Sequence, residues 1–160
     1  MLALLLAERP ELRGDAERLA ARYLEEVSPE AVAEEVVWAL ENLSINDLAG
    51  RAGRQPGRGY VHENEAASEL LDEALRPFVD DIGRRVQLGM APAAASVALG
   101  ILAGLFQCRD PEDGTVLAYA GGSDAVRETA DWVVAEARKH GLEFSPADLD
   151  AVCPDWPALG

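Results

Sequence analysis

The chain has 160 residues, 49% of them apolar and 27% charged, a balance that excludes a disordered polypeptide and suits one globular domain spanning residues 1–160. Twenty-nine acidic residues against 14 basic ones leave a net charge of −15. Such a surface repels nucleic acid and anionic lipid, and is compatible with a basic partner, a cation or a small ligand.

The apolar start, Met1 to Ala7, has no basic residue before it and is soon followed by Glu8, so it does not fit a signal peptide. Leu2, Leu5 and Leu6 fit one face of a short helix ending before Pro10. Leu12, Ala16, Leu19, Ala20, Tyr23, Leu24 and Val27 recur at helical spacing in a second, which Gly14 weakens. Ser28 then reads as the cap of a helix opening on Pro29, with Glu30 at its positive end and Val32, Val36, Leu40 and Leu43 as the inward stripe. Ser44 caps a short helix from Ile45 to Ala49.

Residues 50–60 read as a loop, with four glycines, one proline and three arginines between Gly50 and Gly59. A long helix follows from Glu63 to Leu88, with Leu71, Leu75, Phe78, Ile82 and Val86 on one face. Pro77 lies inside it and predicts a kink or break near Arg76. The segment Ala91 to Gln107 is apolar on every side, which places it in a core or a membrane. The 17 residues from Met90 to Phe106 span only about 26 Å as a helix against about 30 Å of hydrocarbon, and are rich in Ala and Gly, so a buried central helix is expected. Gly100 and Gly104 form a flat strip where a neighbouring helix packs closely, a strip that is also compatible with a second copy across a two-fold axis.

Asp110 to Gly114 is turn-rich, and Thr115 to Ala120 reads as a helical turn, a short strand being the alternative. Ser123 caps the last long helix, whose end carries Arg138, Lys139 and His140 before Gly141. Ser145-Pro146 begins a short helix through Val152, and Trp156 folds back onto the core. No strong strand pattern is present. The fold expected is all-α, an orthogonal or superhelical bundle of about six to eight helices around the central apolar one. The Leu-Ala-Glu texture, with Glu8-Arg9-Pro10-Glu11-Leu12-Arg13 joining two helices, resembles HEAT-like helical-repeat regions of uncharacterised bacterial proteins, some of which accompany SWIM-type zinc modules. The Cys and His ligands of such a module are absent. The resemblance implies a helical scaffold without a known activity.

Arg51, Arg54 and Arg58, with Tyr60 and His62 beside them, are the candidate site. Arginine forks on a glycine-rich loop grip carboxylate or phosphate, and Tyr60 adds a stacking surface. The competing reading pairs these arginines with the chain's own acidic helices. His62-Glu63-Asn64-Glu65 lacks a second ligand at the helical spacing zinc needs. Glu69, Asp72 and Glu73 share a face but read as solvated acids. Cys108 reads as a small core residue, and the two lone cysteines, Cys108 and Cys153, point to a reducing, cytoplasmic setting. Trp38 and Trp132 read as core residues. No catalytic group, metal or cofactor is expected. The expected function is a non-enzymatic protein-interaction or scaffold domain, the alternative an anion- or small-molecule-binding regulatory domain using the arginine loop. Another protein is the expected partner, self-association is compatible with the sequence, and nucleic acid and membrane are not expected.

Overall fold

In a computed structural model, residues 14–20, 26–156 and 159 are described. The expectations for Leu2 to Leu6, Glu8 to Arg13, and Tyr23 and Leu24 lie outside them. Residues 14–20 are helical. Seven further helices and one hairpin follow: α1 (Pro29–Glu41), α2 (Ile45–Arg51), β1 (Gly53–Gln55), β2 (Gly59–Val61), α3 (Glu63–Gln87), α4 (Ala91–Gln107), α5 (Val116–Ala120), α6 (Ser123–Lys139) and α7 (Pro146–Val152). The protein is mainly α-helical, and its helices pack as a bundle.

Local chemistry sets most of the boundaries. The Ser28, Ser44 and Ser145 hydroxyls accept from the backbone N–H of Ala31, Asp47 and Asp148, filling donors that a helix leaves open in its first turn. At Ser145 the Asp148 carboxylate accepts in return from the backbone N–H, completing a capping box. Thr115 does the same service for α5, which is a helical turn and not a strand. At α6 the cap is Gly122, with a φ of 63°, and Ser123 is the first helical residue. The expected cap is thus displaced by one residue, because the Gly121-Gly122 pair makes a left-handed turn that serine tolerates poorly.

Helix α3 runs for 25 residues through Pro77, so of the expected kink or break near Arg76 the break does not occur. Pro77 is exposed, while Leu75, Val79 and Ile82 on either side of it are buried. Burial of that stripe outweighs one lost ladder bond.

The centre of the bundle is α4. Val97, Ala98, Ile101, Leu102 and Leu105 are buried among residues of α1, α3 and α6. Gly100 meets Val32 and the carbonyl oxygen of Pro29, and Gly104 meets Val36 and the carbonyl oxygen of Ala33. Both contacts advance together along the two chains, so α1 and α4 run parallel at backbone contact. The chain's own α1 fills the glycine strip, which removes it as a surface for a second copy. No helix among the described residues is long and apolar enough to cross a membrane.

A second, smaller cluster lies beneath the hairpin: Leu48, Val61, Ala66, Ala67, Leu70 and Val116. Beyond α7, Trp156 stands edge-on to Phe106 with ring centroids 5.2 Å apart, and the Cys153 thiol donates to the Leu102 carbonyl at 3.4 Å. Trp156 does return to the core.

Candidate functional site

The segment expected as a loop is more ordered than its composition indicates. Gly50 and Arg51 complete α2, and residues 53–61 form a two-stranded antiparallel hairpin with Arg54 opposite Tyr60. Gly53, Gly57 and Gly59 have positive φ angles, and it is these turns that glycine makes cheap. Three-residue strands carry too little alternation to show as strands in the sequence.

The hairpin divides the five candidate residues. Arg51 reaches Glu73 on α3 through a two-pronged pair, both donors 2.7 Å from the carboxylate oxygens. Arg58 also turns to α3, gripping Glu69 with both terminal nitrogens, one of them at 3.0 Å, and Glu65 at 3.2 Å. Hydrogen bonding from Arg58 holds the Glu69 carboxyl below its ordinary range, and Arg51 does the same to Glu73. All four side chains remain partly open to water, so each pair adds little stability and mainly fixes where the hairpin lies. Glu69 and Glu73 are therefore arginine partners more than free acids. Asp72 differs, for partial burial raises its carboxyl.

Arg54, Tyr60 and His62 stay together on the outer side. A cross-strand pair leaves the ladder from the same face, and residues two apart share a face. Tyr60 is 68% exposed, and its ring meets that of His62 edge-on at 5.1 Å. Arg54 is exposed and makes no ion pair among the described residues. The arrangement is one cation and two rings on the exposed side of the hairpin, with Arg51 and Arg58 already occupied.

Trp38 corrects a core expectation. It lies on α1 but is 68% exposed. Measured from Val36 it sits about 200° round the helix, so the burial that seats Val36 and Leu40 turns Trp38 outward. It borders an open depression of about 530 Å³ with Ala31, Glu34, Glu35, Ala39 and Phe78. Trp132, by contrast, is half-buried against the core.

Cys108 and Cys153 are buried and form no disulfide. Burial pushes the Cys108 thiol up to about 11 and that of Cys153 to about 12, the opposite of what a nucleophile needs. Among the described residues no group of three or more His, Cys, Asp or Glu is placed to hold a metal ion. Compared with known protein families, curated proteins and solved structures, the chain matches none.

Proposed function

We propose that the protein is a non-enzymatic interaction domain that docks a basic segment of another protein against the outer face of α1. The observation that carries this is Trp38, a large aromatic surface held in water on a capped, core-anchored helix. Exposed tryptophans of this kind are frequent anchors of protein interfaces, because the ring buries much area at small entropic cost. Glu34 and Glu35 flank the ring, and the whole chain is at −15. The favoured partner therefore carries apolar anchors within a basic sequence.

Two amphipathic helical peptides with the same leucine face test this, one with a lysine polar face and one with a glutamate polar face. Fluorescence anisotropy should detect binding of the lysine peptide alone. Trp38→Ser should weaken it by about 30-fold or more, the loss typical of an interface anchor. Equal binding of both peptides, or an affinity indifferent to Trp38→Ser, refutes the reading.

A second reading rests on Arg54. That guanidinium, beside Tyr60 and His62, suits a single anionic group borne on an aromatic ring. Phenyl phosphate is the test ligand: it should shift the amide resonances of Arg54 and Tyr60 in the protein and leave those of Arg54→Ser unmoved. No shift at either residue discards this reading.

A further inference from the structure

A cleft of about 580 Å³ opens where α1 and α4 end, on a different part of these helices from Trp38. Its floor is apolar and buried, made by Leu40, Cys108 and Leu117. Its rim carries Glu41, Asp110 and Glu112, and no Lys, Arg or His lines it. The volume is that of a small-molecule site.

Two independent features give the cleft its sign. The first is the parallel course of α1 and α4, which brings two helix C-termini to one place. Each carries roughly half a negative charge from its unpaired carbonyls. Neither helix has a basic residue in its last turn, and α1 ends on Glu41. Lys or Arg normally sits at such ends. The second is the fate of the nearest cation. Arg109 lies half-buried over the Phe106 ring at 4.1 Å, donates to the Phe106 carbonyl at 2.8 Å and reaches Asp110 at 3.5 Å. It thus quenches part of the charge on α4 and leaves Glu41 and Glu112 without an ion pair among the described residues.

We propose that this cleft binds a small organic ammonium, the apolar body resting on Leu40, Cys108 and Leu117 and the cationic head between Glu41 and Glu112. Apolar burial supplies contact area, and the head meets two carboxylates without ion pairs among the described residues, the end of α1, and an end of α4 that Arg109 neutralises only in part. A neutral analogue retains only the first contribution, and a carboxylate is repelled.

The probes are 2-phenylethylammonium, 2-phenylethanol and 3-phenylpropanoate, which share a ring and differ in charge. Titration followed by amide NMR should show the ammonium shifting Cys108 and Leu117, the alcohol binding about ten-fold more weakly or worse, and the carboxylate not binding. Glu41→Gln and Glu112→Gln should each weaken the ammonium. Both side chains are exposed, so unchanged melting temperatures will show that the fold is intact. Trp38→Ser should leave this binding as it was, which separates the cleft from the α1 face. Perturbation by none of the probes overturns the proposal. So does equal affinity for ammonium and alcohol, or an ammonium affinity unaltered in both glutamine variants.

Discussion

Replacing Gly104 by alanine tests the packing on which the bundle depends. A Cβ there would lie 2.7 Å from Val36 Cγ1, 2.8 Å from Val36 Cβ and 2.9 Å from the Ala33 carbonyl oxygen, whereas ordinary contact begins at 3.4 Å. Rotating Val36 relieves only some of this, because its Cβ and the Ala33 oxygen move only with α1 itself. Inserting a methyl into a filled core costs about 1–3 kcal/mol, and a backbone obstacle argues for the upper part of that range. Against it stands the gain of about 1 kcal/mol from removing glycine within a helix. The net expectation is a loss of about 1–2 kcal/mol, which for a chain of this size lowers the melting temperature by roughly 2–8 °C. Urea unfolding followed by circular dichroism measures it. Gly50→Ala is the control, since Gly50 is also helical and a Cβ there meets nothing within 4 Å. That variant should be neutral or more stable. Adding Val36→Ala to Gly104→Ala should recover part of the loss, giving a coupling of about 1 kcal/mol. If Gly104→Ala gains stability as Gly50→Ala does, the close approach of α1 and α4 is wrong.

Three further outcomes are expected. The Glu69 and Glu73 carboxyls are held low by Arg58 and Arg51, so the stability they contribute is present above their unfolded range, near pH 4.3 to 4.5, and is lost as pH falls through their folded values. Arg51→Gln with Arg58→Gln should raise the titration midpoints of both carboxyls by carbon-detected NMR; unchanged midpoints would deny the pairing. Cys108 and Cys153 should resist a disulfide reagent at pH 8 in the native protein and react at once in denaturant, and fast native labelling would contradict their burial. Ser145→Ala removes the hydroxyl half of a capping box while keeping the backbone N–H that donates to Asp148, and should cost about 1 kcal/mol, read by chemical denaturation.

The sequence discloses the parts of this molecule that depend on neighbours along the chain. Helical spacing and serine caps place α1, α2, α3, α4 and α7 within a residue or two, because both are local chemistry. The glycine strip at 100 and 104 is also legible as a site of close approach, although not which helix fills it. Helix membership alone does not put Trp38 in the core; the Val32–Val36–Leu40 stripe assigns it to the other side of α1. The hairpin was hidden because its glycines break the alternation on which strands are recognised. The sorting of the arginines was beyond local reading altogether. Arg51 meets an acid 22 positions away and Arg58 one 11 positions away, partners that exist only once α3 lies beneath the hairpin. The cleft at the ends of α1 and α4 is likewise a product of tertiary structure, for its rim comes from separate segments brought together by parallel packing.

The satellite cluster under β1 and β2 has a kinetic consequence. It includes two alanines among its six buried residues and is separate from the main core, so few apolar contacts hold α2 and the hairpin in place. In heavy water, the amide protons of this corner should therefore trade for deuterons through small openings that hardly respond to added urea. Those of α4 should wait for the whole molecule to come apart.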